Sequence, residues 1–516
     1  MIAGLALAVL ITAISWRKPV LATAALLFLE QNDALTLWIG DFPLQEVLVL
    51  VALSLSLSRM TVGEIQDVFR AGFPIFLFLS GLLLVFFYSG LSAVDAALAQ
   101  KDTNRLVTKL ALVAVLCVSV RSRNDLGIII YTLIVSTAFS AGFTMFEYFR
   151  GAPVFDIPIH DEALSTWEGV FRSSGASKEV PPMAASMMLA GGAIATIMLM
   201  RSKRHRLLLA TVVLMGGAGI IMTVTRSAMM SYAVIVVAML FYYRHDPIFP
   251  KLLRVAVAAA VVVVLALPAS IVSKFTAVSD TVEDTTVSRR LGYQIVGIDL
   301  VRQNPLFGVG AGNYIVHYAR DDYRYTAGRG EEPRPLHNNY LQYAAETGLI
   351  GLAAFLGLLL AVGLALLSAA RRASGSIRNY SEALWFAYLA MLLQLLFLSS
   401  KFLLSFWVII GLAIAVRRIS LREFAPECAD APQDLPEIDG FDLASDALVI
   451  YNSEGGGSRK NLAVKTWGEH AFVFLNGLPL AKVLMGADRS FGLSVRDVFI
   501  VKEKPTFDDT REDPAE

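Results

Sequence analysis

The chain has 516 residues, of which 56% are hydrophobic and 17% charged, with a mean hydropathy of +0.60. Soluble domains carry roughly 25% charged and about 45–50% apolar residues, and the excess here lies in long runs, so a soluble enzyme, a disordered chain and a fibrous protein are excluded. The 44 basic and 44 acidic residues cancel, which leaves no global field to draw the chain to nucleic acid.

Taken in order, apolar runs cover about 2–15, 19–29, 44–58, 72–89, 106–120, 126–146, 181–200, 207–224, 226–243, 252–272, 340–368, 383–399 and 402–416. Spanning a lipid core takes about 20 apolar residues as helix. The first run lacks a basic leader and reads as a retained span rather than a cleaved signal. The first two runs are short enough to form a shallow hairpin, so the expected fold is an all-α polytopic membrane protein of 12 or 13 spans. Pro74 and Pro181–Pro182 fall at span starts in this reading.

Charge sets the orientation. Alternate connections carry Arg17 and Lys18, Arg59 and Arg70, Arg121 and Arg123, Arg201 to Arg206, Arg244 to Arg254, Arg371 to Arg378, and Arg417 and Arg418. The positive-inside rule makes these cytoplasmic. The opposite set, with 147–180, the Thr225–Arg226 junction and the long loop 274–336, then faces outward, and the C-terminus lies in the cytoplasm. The expected organisation is 1–273 transmembrane, 274–339 a large periplasmic loop carrying site residues, 340–418 transmembrane, 419–446 an acidic linker and 447–516 a small β-rich cytoplasmic module. Within the loop, Ser288 can cap a helix running to Gln303, with Leu291, Ile295, Ile298 and Val301 at helical apolar spacing. In the module, Asn476–Gly477 is a hairpin-turn pair.

Few residues point to chemistry. His337 stands where the loop meets the span 340–368. An imidazole with an ordinary pKa near 6.5 suits a general base at neutral pH, although an interfacial histidine beside an Asn N-cap would read the same. Glu346 lies nine residues on, half a turn out of phase on a 3.6-residue helix, so it is expected to serve a helix contact rather than partner His337. Arg226 sits between two apolar runs with almost no loop, where an ionisable residue is costly and a site candidate; snorkelling to headgroups is the alternative. Arg289 and Arg290 open the loop helix, and arginine forks hold phosphate oxygens well, although paired surface arginines are commonly just solvated.

The run Gly308-Val309-Gly310-Ala311-Gly312 lacks the Lys-Ser/Thr of a nucleotide loop and reads as a tight turn back to the membrane. No Cys/His cluster or carboxylate pattern forms a metal site: Cys117 and Cys428 are remote, and Asp321–Asp322 would point apart on a strand.

Three segments together resemble the O-antigen ligase and polymerase family of bacterial inner-membrane glycosyltransferases. They are Thr225-Arg226-Ser227-Ala228, Arg290-Leu291 upstream of Pro305 to Tyr314, and His337-Asn338 followed after nine residues by Gly348-Leu349-Ile350-Gly351. The last is similar to the family's His-(Asn/Ser/Gln)-x9-Gly-x-x-Gly signature. Leu352 and Ala353 stand where ligases have two threonines. The resemblance covers about 225–352 for the motifs, extends to about 416 for the span layout, and leaves out the tail.

The resemblance implies metal- and cofactor-independent, inverting transfer of a glycan from an undecaprenyl-diphosphate carrier to an acceptor glycan or glycolipid at the periplasmic face of the inner membrane. In that reading His337 is the base, and Arg226 and Arg290, with Arg289 as substitute, hold the diphosphate. The implied partners are the lipid-linked glycan, the acceptor and the bilayer, with no nucleic acid; a cytoplasmic partner of the module is a further candidate. The competing expectations are a transporter or flippase of lipid-linked glycans, and a scaffold signalling through the tail.

Overall fold

The computed structural model describes Ile2 to Phe424 except residues 39, 41, 156–165, 168–169, 179, 202–204, 267–284, 324–325, 327–334 and 399; beyond Phe424 it describes strand segments alone. The chain divides into two units, Met1–Leu421 and Arg422–Glu516.

The first unit is helical. All 13 apolar runs lie on helices: α1 (Ile2–Ser15), α2 (Val20–Gln31), α3 (Leu44–Leu57), α4 (Val62–Leu91), α5 (Ala96–Ser119), α6 (Arg123–Arg150), α7 (Pro181–Arg201), α8 (Arg206–Met222), α9 (Arg226–Tyr242), α10 (Phe249–Ala266), and, after the loop helices α11 (Thr285–Gln303) and α12 (Tyr314–Tyr318), α13 (Asn339–Arg372), α14 (Gly375–Leu395) and α15 (Leu404–Phe424). Among the described residues, five of these (α4, α6, α7, α13 and α15) are long and apolar enough to cross a membrane; α1, α2, α3, α8 and α9 are apolar but shorter, at 10–17 residues. At 1.5 Å per residue the shorter ones fall short of a core about 30 Å thick.

Caps explain where the sequence reading and the helices part. Thr61 and Glu64 form a capping box, with Thr61 Oγ1 accepting from Glu64 N at 3.2 Å and Glu64 Oε2 accepting from Thr61 N at 3.1 Å. This starts α4 well before the apolar run. Pro74 therefore lies inside a helix, not at its start, where it removes one backbone bond. In the same way Asp95 Oδ1 accepts from Leu98 N at 3.0 Å and starts α5 ahead of its run, bringing Asp102 and Arg105 onto the helix.

Burial orders the bundle. The most apolar window of α7 is 89% buried and that of α15 78%, against 39% for α4. So α7 and α15 are interior and α4 is peripheral, its exposed Phe69, Phe73, Leu77, Leu84 and Leu91 forming an apolar outer face suited to lipid.

The long loop is more helical than expected. α11 begins at Thr285, so Ser288 lies within it rather than capping it. Its buried face is Tyr293, Val296 and Leu300, while Leu291, Ile295 and Ile298 are exposed. The neighbours decide this: Tyr293, Val296 and Leu300 form a small core with Val309, Tyr314, Tyr318, Leu336 and Ala345. Gly297 allows the approach, because a β-carbon there would stand 2.5 Å from Leu336 Cδ1. Asp321 and Asp322 belong to a 3-10 turn, Asp321–Tyr323, not a strand.

In the second unit the described strands are β3 (Glu437–Ile438), β4 (Val449–Tyr451), β5 (Leu462–Trp467), β6 (His470–Leu475), β7 (Leu478–Leu484) and β8 (Phe499–Val501); β1 (Thr166–Trp167) and β2 (Val170–Phe171) pair in the first. One sheet has the order β3-β7-β6-β5, and β4 pairs with β8. The Asn476–Gly477 turn and most of the acidic linker lie outside the described residues.

Candidate active site

Arg226 is the first residue of α9. The turn before it is tight: Thr223 N donates to Gly219 O at 3.0 Å and Val224 N to Ile221 O at 2.9 Å, while Ala228 N and Met229 N already donate to Thr225 O. Closing it requires Val224 to adopt φ 51°, a left-handed conformation costly for a β-branched residue. Such strain persists only where the surroundings impose it and clusters at functional sites.

A second cation reaches this turn. Arg172 Nε donates to Thr223 O at 3.2 Å. Burial lowers the Arg172 pKa. The chain around Arg172 is fixed by the buried Glu147 carboxylate, which accepts from Val154 N (2.8 Å), Ser173 Oγ (2.6 Å) and Gly175 N (3.1 Å). Gly175 has φ 61°, and a β-carbon there would meet Thr144 Oγ1 at 2.5 Å. The sequence reading passed over Arg172; Gly175 two residues after Ser173, in an otherwise polar connection, was the one available hint.

His337 also takes a left-handed conformation, φ 58°. It is half-buried, with its ring 5.8 Å from that of Tyr293 and inclined by 37°. Tyr293 lies one helical turn beyond Arg290 on α11, so the histidine and the exposed arginine face one small region of the loop. Arg289 is on the same helix, with its side chain outside the described residues. Asn338 caps α13, its Oδ1 accepting from Leu341 N at 3.2 Å.

Both halves converge on the C-terminal end of α14. Gln394 Nε2 donates to Ser227 O at 3.1 Å, next to Arg226, and Tyr340 Oη donates to Leu392 O at 3.1 Å, one turn from His337. The fold thus brings the turn at Arg226, which also holds Arg172, and the helix start after His337 to the C-terminal end of one helix, α14.

Of the two signature glycines, Gly351 faces α4, with Val85 Cγ1 3.3 Å from its β-position, whereas Gly348 breaks the helix. Gly348 interrupts α13 with φ 69° and ψ −173°. The strap Pro305–Gly310 docks there: Val309 N donates to Ala345 O (3.0 Å), Gly310 N to Glu346 O (2.9 Å), Leu349 N to Pro305 O (2.8 Å) and Ile350 N to Leu306 O (3.3 Å). The strap satisfies the backbone groups that the break frees. Gly308, Gly310 and Gly312 all have positive φ, so the glycine run is a turn bound to the break.

Residues 210–356 match the family model described as O-antigen ligase. Over this segment the chain is similar to O-antigen ligases. The matched segment takes in Arg226, Arg289, Arg290 and His337, together with the Gly348 break and the strap. Arg172 and the connection after α14 fall outside the matched segment. A comparison with curated proteins finds no match.

Proposed function

We propose that the protein is a membrane glycosyltransferase that moves a glycan from an undecaprenyl-diphosphate carrier to a sugar hydroxyl of an acceptor, as a polysaccharide polymerase or ligase. What carries this reading is that Arg226, Arg290 and His337 all lie within the segment similar to O-antigen ligases, and that the chain beside Arg226 and the chain beside His337 both bond the end of α14. In this reading all 13 apolar helices contribute to the membrane domain, the site faces the periplasm of a bacterial inner membrane, and the strand-bearing tail is a cytoplasmic module.

The chemistry follows from the residue types. His337 accepts the proton of the acceptor hydroxyl. The oxygen attacks the anomeric carbon from the face opposite the leaving group, a new C–O bond forms, and the bond to the carrier phosphate breaks with inversion. The electron pair leaves with undecaprenyl diphosphate. Arg226 and Arg290, with Arg289 as substitute and Arg172 in support, stabilise that charge through bidentate bonds. The reaction is metal-independent in this proposal.

The test is turnover in proteoliposomes supplied with a lipid-linked glycan and an acceptor. Glycan transfer with release of undecaprenyl diphosphate is expected. Movement of the intact lipid-linked glycan across the bilayer without transfer would identify a flippase instead.

A further inference from the structure

The break at Gly348 leaves a short helical piece, residues 339–347, with His337 at its threshold. A piece that short is not stable by itself, and polar ties hold it. At its start Asn339 Nδ2 donates to Ser400 O at 3.0 Å. In its last turn Glu346 Oε2 accepts from Gly312 N at 2.9 Å, and Oε1 accepts from Gln342 Nε2 at 3.0 Å. Lys401 Nζ pairs with both Glu346 Oε2 and Asp102 Oδ2. The Lys401 and Glu346 side chains are 4% and 2% exposed.

Asn339 and Glu346 are seven residues apart, hence on one face of the piece. Their partners, Ser400 and Lys401, are neighbours in the connection between α14 and α15. One short segment therefore grips the piece at both ends. Lys401 reaches through Asp102 to α5 and through Glu346 to the glycine turn. Burial alone would lower the Lys401 pKa, but the Glu346 and Asp102 carboxylates outweigh it and hold the group above its ordinary value.

Buried ion pairs are poor stabilisers compared with well-packed apolar groups, whereas stranding one partner is costly. What this triad provides is a single permitted placement: any roll or slide of the piece separates Lys401 from a buried carboxylate. We propose that Lys401 is a positioning residue that fixes helical piece 339–347 and thereby the place of the His337 imidazole relative to acceptor and diphosphate. The inference rests on the glycosyl-transfer reading for its catalytic consequence, but not for its structural one.

The test uses the full-length protein in lipid. Lys401→Met alone strands two buried carboxylates and is prone to misfold. The triple variant Lys401→Met/Asp102→Asn/Glu346→Gln removes every charge at nearly constant shape. It is expected to keep KM for the lipid-linked glycan while kcat falls about 10- to 100-fold, the loss typical of a displaced catalytic group. Amide hydrogen exchange should speed up in 339–347 relative to 349–372. Asn339→Ala, which cuts the Ser400 tie without touching a charge, should shift kcat and exchange in the same direction and serves alone if the triple variant does not fold. Wild-type kcat with unchanged exchange would overturn the proposal. If the wild type shows no glycan transfer, the functional reading fails, and the exchange pattern still decides whether Lys401 fixes the piece.

Discussion

The carbonyl oxygen of Leu306 stands 2.1 Å from the point that a β-carbon on Gly348 would occupy. Gly348 also combines φ 69° with ψ −173°, a region essentially reserved for glycine that costs other residues about 1–3 kcal/mol. Gly348→Ala should therefore destabilise the protein by at least about 2 kcal/mol and displace the strap. Gly81, inside α4 with nothing within 4 Å of its β-position, is the control: Gly81→Ala should be stabilising by about 0.5–1 kcal/mol. Thermal unfolding of the two variants in the same detergent checks the contrast.

His337→Ala should fold and still bind the lipid carrier, yet lose roughly 10²–10⁴ in turnover. Retention of more than about a tenth of wild-type rate would move the base elsewhere; Asp321, exposed in the 3-10 turn, would be the first alternative to test.

His317 supplies a pH prediction. It is 9% exposed, and burial, then the nearby Arg320, lower its pKa from 6.5. The unfolded chain binds this proton at a higher pH than the native chain does, so native stability rises with pH here. The contribution is intact above about 6.5, the unfolded value, and is lost progressively as pH falls below it. His317→Gln should flatten the Tm-versus-pH curve in that range and leave turnover far less affected than His337→Ala does. An unchanged curve would mean that His317 is not the group responsible.

The arginines can be ranked by fork chemistry. Lysine keeps the charge but loses the bidentate geometry, so Arg226→Lys and Arg290→Lys should each cost on the order of 10²–10³ in rate. Arg172→Gln should also impair turnover, though less, since Arg172 already spends one N–H on Thr223 O. Full activity in both lysine variants would rule out bidentate phosphate binding.

Orientation is checked by labelling. In a chain lacking Cys117 and Cys428, a cysteine replacing the exposed Arg320 should react with an impermeant reagent from the periplasmic side, and one replacing Gly455 should not. The reverse pattern would place the site on the cytoplasmic face.

The helices were legible in the sequence because each apolar run is long and bounded by charge or breakers. Their starts were less so: Thr61–Glu64 and Asp95 extend α4 and α5 into polar sequence, where hydropathy carries no signal but capping does. His337, Arg226 and Arg290 were legible through spacing. Arg172 was not, since a lone arginine in a polar connection matches no pattern. The buried face of α11 was not legible, because Leu291, Ile295 and Ile298 share a stripe as regular as Tyr293, Val296 and Leu300, and only the neighbours distinguish them. The triad was beyond reach: Lys401 lies 299 residues from Asp102 and 55 from Glu346, and nothing local marks such a pairing.

The strap has one more consequence. By tying 305–310 to 345–350, it pins both ends of the intervening sequence to the same spot and so closes a circuit in the chain. Lengthening such a circuit is cheap, about 0.6 kcal/mol for each doubling. An anchored base of this kind lets the sequence between its two feet change in length while the break and the helices that carry it are left undisturbed.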